Sequence, residues 1–202
     1  MAEIGTSRYS PDRSGLPEFM SAHLVKPFPM YELPRVWLWV QQFRRQISDD
    51  FSPKTLDEFV DVEMERMNRQ MTWGVYRDGE LGGLIVFEPS SPVAGTSHIT
   101  FRRSFWKPKT TVPAIREAYS EIFAAGYRKI LSFVFADNNA IRSLAREIGL
   151  KEEGVLRGQT LRNGRPIDMV ALGLLREEFE HADNHLEPKS DPDLGAAVSV
   201  AQ

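Results

Sequence analysis

Lys129-Ile130-Leu131-Ser132-Phe133-Val134-Phe135-Ala136-Asp137-Asn138-Asn139-Ala140-Ile141-Arg142-Ser143-Leu144-Ala145-Arg146-Glu147-Ile148-Gly149-Leu150-Lys151-Glu152-Glu153-Gly154 decides how the rest of the chain is read. Its first eight residues are an apolar run rich in aromatic and β-branched side chains, the composition of a buried strand. A helix starts at once: Asp137 or Asn138 can cap it, and Ile141, Leu144, Ala145 and Ile148 recur at helical spacing. Gly149 stops the helix where a left-handed residue is wanted, and a second strand follows from Leu150 or Lys151.

From Asn138 to Gly154 the residues resemble the strand-Asn-helix-Gly-(Phe/Leu)-x-x-Glu-Gly signature of the GNAT N-acetyltransferase superfamily, above all the branch that acetylates the N-termini of ribosomal proteins. By order of elements the resemblance covers Leu24 to Phe179. It implies an α/β fold with a mixed, mostly antiparallel sheet and helices on both faces. It also implies that acetyl-CoA lies in a gap between two splayed strands and that Asn138 hydrogen-bonds the cofactor arm. A plain helix N-cap would use the same Asn138 side chain, and both roles stand open.

Composition limits the alternatives. A chain of 202 residues with 42% hydrophobic content can bury one good core and is short for two. Zero cysteines exclude a disulfide scaffold, a thiolate zinc site and a cysteine nucleophile, and fit a reducing, cytoplasmic compartment. A net charge of -3 supplies no general basic field for nucleic acid. The first residues lack the apolar run of a signal peptide, and no segment approaches the ~20 apolar residues that span a bilayer. A soluble protein without a membrane or nucleic-acid partner is expected.

Outward from the deciding stretch, residues 1–22 read as an arm, 23–180 as one domain and 181–202 as a flexible tail. A first strand is expected at His23-Leu24-Val25. Between Pro34 and Ile47, Val36, Trp39, Val40, Phe43 and Ile47 mark one helical face, with Trp37 and Leu38 off it. Thr55 and Glu58 are spaced as a capping box for a helix bearing Leu56, Phe59, Val60, Glu63, Met64 and Met67. Met71–Tyr76 and Leu84–Phe87 read as strands joined through a tight Asp78-Gly79 turn. Thr96–Arg102 alternates as a strand, a helix is expected over Val112 to Ala125, and Asn163-Gly164 marks a second hairpin.

The resemblance places a diphosphate-binding loop before the Val112 helix, where unpaired N–H groups and the helix dipole favour a phosphate. The family's Gln/Arg-x-x-Gly-x-Gly/Ala falls on Trp106-Lys107-Pro108-Lys109-Thr110-Thr111. Lys109 and Thr111 therefore fill the glycine positions and Trp106 fills that of Gln/Arg. Glycine there lets backbone approach the diphosphate, and Pro108 removes one donor. Lys107 and Lys109 supply charge instead, or are simply exposed solubilising lysines.

Transfer to an amine needs a base for the amine proton and usually an acid for the leaving thiolate. His98 lies on the strand where relatives carry a carboxylate base and is the best base candidate, against the ordinary case of a half-exposed strand histidine. The relatives' acidic Tyr falls at Ala145 and their Ser at Ile141, which leaves Tyr76 and Ser143 as substitutes. The working expectation is acetyl-CoA-dependent N-acetylation of a primary amine, on a protein N-terminus or a small molecule. The second is a catalytically silent structural or interaction protein. Arg102-Arg103-Ser104-Phe105-Trp106 and Gly173–Phe179 also resemble GNAT-like proteins encoded by bacteriophages, some carried in the virion, and off-face Trp37 and Leu38 would suit a protein partner.

Overall fold

The computed structural model describes residues 24–67 and 71–184. The arm expected over 1–22 and the tail beyond 184 lie outside the described residues. Among these described residues seven strands run in the order β1 (Leu24–Pro27), β2 (Met71–Arg77), β3 (Glu80–Pro89), β4 (Ala94–Phe101), β5 (Lys129–Phe135), β6 (Lys151–Arg162) and β7 (Arg165–Leu175). The helices are α1 (Leu33–Gln42), α2 (Arg44–Ile47), α3 (Leu56–Met67), α4 (Pro108–Ala124), α5 (Asn139–Ile148) and α6 (Arg176–Asn184). One sheet forms in the order β1-β2-β3-β4-β5-β7-β6. Only its central β4–β5 pair is parallel.

Both hairpin turns form as their dipeptides predict. Asp78 and Gly79 have φ of 54° and 80°, and Asn163 and Gly164 have 55° and 71°. These positive angles match the right-handed twist of the flanking strands.

The sheet is covered on both sides. Ile115, Ala118, Tyr119 and Ile122 of α4 pack with Ile85, Phe87, Ile130 and Leu172, while Val36, Trp39 and Phe59 of α1 and α3 pack with Leu81, Leu84 and Val86. Successive residues of β3 thus enter opposite cores, which explains its unbroken hydrophobic run. The deciding stretch folds as read: β5, then α5 capped by Asn138, whose side chain accepts from the Ile141 N–H at 3.2 Å, then Gly149 at φ 110° and β6.

Three boundaries and the burial of one side chain differ from the sequence reading. The Pro34–Ile47 helix breaks at Phe43, whose φ/ψ of −114°/12° leaves the helical region. The helix expected from Val112 begins at Pro108, because proline suits a first helical turn and the Thr111 hydroxyl ties that turn together. The expected limit at residue 180 falls inside α6: the Leu175 N–H donates to Glu178 Oε2 at 3.1 Å, and Phe179 packs on Phe123 with ring centroids 5.1 Å apart. Finally, Trp37 is half-buried, tilted against Phe59 at 5.2 Å, whereas Leu38 is exposed.

Candidate active site

The strands β4 and β5 pair at only three positions, Ala94↔Lys129, Gly95↔Ile130 and Thr96↔Leu131. Beyond them they separate. Each keeps its outer partner, β4 with β3 and β5 with β7, so the divergence forfeits only the bonds between the two. Backbone N–H and C=O groups of the diverging halves are left facing a gap, where buried polar backbone needs partners. Among the described residues the gap is bridged by one long contact, from Ser132 Oγ to the Ser97 carbonyl at 3.5 Å.

The gap opens into a cleft of about 600 Å³. Tyr119 of α4 lies at its base, fully buried, with its hydroxyl lacking a hydrogen-bond partner. Burial pushes this phenol up to about 12, and the Ser97 hydroxyl, close by but outside hydrogen-bond geometry, offsets only part of that effect. Ser97 Oγ is itself shielded and unpartnered. Two orphaned hydroxyls and two open strand edges form a polar lining inside an apolar cleft. They fit an extended ligand carrying amide groups, which can pair with strand edges as an added strand does.

Alternation along β4 sends Ile99 and Phe101 into the α4 core and His98 to the opposite face, beneath α3. There His98 meets three charged side chains. Its Nε2 lies 3.3 Å from Glu88 Oε2, without the alignment of a hydrogen bond. Arg66 joins the group, with Nη1 at 2.7 Å from Glu63 Oε1 and Nε at 3.7 Å from Glu88 Oε2. Nε2 is sealed although the imidazole as a whole keeps 38% exposure, so the ring presents its other edge outward. Burial pulls the imidazole below its ordinary pKa and the Arg66 cation acts in the same direction, while Glu88 opposes them in part. Burial likewise raises the Glu63 carboxyl, with Arg66 opposing and Glu88 adding to the rise.

Of the residues picked out by sequence, His98, Trp106 and Asn138 line this one cleft. Trp106 is fixed by its indole N–H, which donates to the Phe101 carbonyl at 2.8 Å. Asn138 spends its carboxamide twice: Oδ1 caps α5 and Nδ2 donates to the Gln46 carbonyl at 3.3 Å. Lys107 and Lys109 are exposed at the start of α4, outside the cleft lining. The Thr111 hydroxyl points inward, its one proton shared between the carbonyls of Phe105 at 2.6 Å and Lys107 at 2.9 Å. Tyr76 lies elsewhere, its ring under Lys26 Nζ at 4.2 Å. In the register Thr72↔Val86↔His98 it sits four residues, or ~13 Å, further along the sheet.

Sequence reading took none of Glu63, Arg66, Glu88, Ser97 and Tyr119 as a site residue. The signal for Glu63 was present: an acid four residues after Phe59, on the apolar side of its helix.

A short segment crosses the mouth of the cleft. Phe43, at the break between α1 and α2, stacks on Trp106 with centroids 5.3 Å apart, and Gln46 holds Asn138 on the other side. The chain continues to the β6–β7 hairpin, where the Asp50 N–H donates to the Leu161 carbonyl at 2.8 Å. Among the described residues no group of three or more His, Asp or Glu side chains could hold a metal ion, and no helix is long and apolar enough to cross a membrane.

No protein-family model matches the chain. Solved structures do. The chain superposes on a ribosomal-protein-alanine N-acetyltransferase from Brucella melitensis with a TM-score of 0.64 at 15% identity, covering 75% of this chain and 99% of that one. A SpeG spermidine N-acetyltransferase mutant from Vibrio cholerae gives a TM-score of 0.68 at 18% identity over 81% and 99%. An N-acetyltransferase from Staphylococcus aureus Mu50 gives 0.64 at 17% over 77% and 99%. At these identities the likeness is one of fold, and the fold is that of the GNAT acetyltransferases.

Proposed function

We propose that this chain is an acetyl-CoA-dependent N-acetyltransferase acting on a primary amine. The observation that carries the reading is the divergence of β4 and β5 after three residue pairs, which opens a cleft with unpaired strand edges and orphaned hydroxyls at its base. Structural neighbours with the same architecture bear the names of ribosomal-protein-alanine and spermidine acetyltransferases. The edges of β4 and β5, Ser97 and Tyr119 are the groups that would hold the cofactor arm, with Trp106 and Asn138 at the mouth. Bound there, acetyl-CoA supplies an acetyl group already activated as a thioester.

His98 takes the amine proton. Glu88 faces Nε2, which favours the tautomer with the proton on that nitrogen and leaves the Nδ1 lone pair as acceptor. Burial and Arg66 keep the ring neutral at neutral pH, the form a base needs. The α3 side of the cleft, with Glu63 and Glu88 beside Arg66, is the acceptor side, and its carboxylates suit an incoming ammonium before it loses its proton.

Steady-state kinetics test the assignment. His98→Ala is expected to lower kcat by about 10²- to 10⁴-fold with acetyl-CoA affinity unchanged. Glu88→Gln removes the group that holds the imidazole pKa up, so the acid limb of the rate profile should move to lower pH. A His98→Ala enzyme with full kcat would remove His98 from the mechanism. Absence of acetyl-CoA binding at millimolar concentration would remove the reaction itself and leave a non-catalytic GNAT-fold protein.

A further inference from the structure

A second cavity lies outside the cleft, where the end of α1, α2 and the loop after it meet the β6–β7 turn. It measures about 820 Å³, and its charged lining consists of Arg44, Arg45, Lys54, Arg162, Asp49 and Asp50. Four cations thus face two carboxylates, and both carboxylates are already engaged. Asp50 accepts from the backbone N–H groups of Asn163 and Gly164 at 2.8 and 2.7 Å. Asp49 accepts from Thr160 Oγ1 at 2.6 Å, Ser52 Oγ at 2.8 Å and the Phe51 N–H at 3.1 Å.

The cations are far less satisfied. Arg44 reaches Gln41 Oε1 at 3.3 Å, and Lys54 reaches the Asp49 carbonyl at 3.3 Å. Arg45 is exposed and has no ion-pair partner among the described residues. Arg162 is the rear wall: its guanidinium lies 4.4 Å over the Phe135 ring and gives Nη1 to Asp137 Oδ2 at 2.7 Å. Its Nε and Nη2 are shielded from water and have no hydrogen-bond partner. With the Asp137 partner of Arg162 counted, four cations stand against three carboxylates and one net positive charge remains, carried by Arg44, Arg45 and Lys54, none of which has an ion-pair partner among the described residues.

We propose that this cavity binds a phosphate-bearing anion with at least two negative charges. Guanidinium groups match phosphate oxygens in pairs, and a recess walled by protein strengthens the field that an open surface would lose to solvent. The phosphates can come from the CoA moiety itself or from a phosphorylated acceptor. The site does not rest on the acetyl-transfer reading, because it is defined by its own charges.

Calorimetric titration of the full chain with inorganic pyrophosphate at low ionic strength tests it. Saturable binding is expected, weakened roughly three- to tenfold by Arg45→Ala or by Lys54→Ala and more by the two together. Both side chains are exposed, so folding should survive, which an unchanged thermal midpoint verifies. Lys109→Ala, at the start of α4, should leave pyrophosphate binding as it is. Displacement of pyrophosphate by CoA but not by pantetheine, which lacks the phosphates, would assign the site to the cofactor. Simultaneous binding of CoA and pyrophosphate would exclude the cofactor as its ligand and leave a separate phosphate-bearing molecule. Absence of saturable binding at millimolar pyrophosphate, or a loss on Lys109→Ala as large as that in the double variant, would overturn the proposal.

Discussion

Replacing Tyr119 by phenylalanine deletes one oxygen and leaves the ring that fills the base of the cleft. That oxygen is fully buried and lacks a hydrogen-bond partner. A buried hydroxyl without a partner costs about 1–3 kcal/mol, whereas one that is paired contributes about 0.5–1.5 kcal/mol. The two cases predict opposite signs. With the geometry described above, Tyr119→Phe should raise the unfolding free energy of the ligand-free protein by about 1 kcal/mol or more, a rise of roughly 2–4 °C in midpoint for a domain of this size. The hydroxyl also borders the cleft, so the same variant should bind acetyl-CoA about tenfold more weakly. Urea titration followed by circular dichroism measures the first effect and calorimetry the second. A variant destabilised by 1 kcal/mol or more would show that the hydroxyl is paired within the protein, and its place in ligand binding would fall with it.

Two other outcomes follow from the packing and the charges. Ile148→Ala should cost about 2–5 kcal/mol, because Ile148 is buried between α5 and the sheet. Leu144→Ala, half-buried along the cleft, should cost only about 1 kcal/mol, and equal midpoints for the pair in urea would contradict the position of α5. Burial alone would raise the Asp49 carboxyl, but hydrogen bonds from Thr160, Ser52 and the Phe51 backbone hold it below the ordinary value. Its contribution is therefore complete above the unfolded pKa of about 3.9 and is lost as pH falls through that value toward the folded one. Stability measured between about pH 6 and pH 3 should fall less steeply for Asp49→Asn than for the parent chain, and parallel curves would refute the assignment.

How much of this was readable beforehand depended on distance along the chain. The β5–α5–β6 unit was legible because cap, apolar period and Gly149 stop all lie within one short stretch. The hairpin turns were legible from two residues each. The start of α4 was misplaced because the diphosphate-loop alignment competed with Pro108, and proline at a first helical turn was the stronger local signal. The cleft itself was legible only by resemblance. His98 was picked by its strand, but Glu88 reaches it across a β3–β4 register and Arg66 from a helix packed above, and no spacing in sequence encodes either meeting. Tyr76 was chosen for its chemistry alone, and the register carries it away. Arg162 drew no notice beside the Asn163-Gly164 turn, since its place in the second cavity emerges only when α2 and the β6–β7 hairpin come together.

The segment from Phe43 to Gln46 acts as a clasp on a pair of shears. The two halves of the sheet, β1 to β4 and β5 to β7, share just three backbone pairs at one end, and that end is the pivot. At the other end Phe43 grips the Trp106 blade and Gln46 the Asn138 blade. Any widening of the blades has to stretch one grip or carry α2 along, and the anchoring of Asp50 to Leu161 and to the Asn163–Gly164 turn resists the latter. At its mouth the gap is held by one tilted ring pair and one amide hydrogen bond while α4 spans its floor, and loosening either mouth contact by substitution should alter how fast ligands come and go before it alters how stably the protein folds.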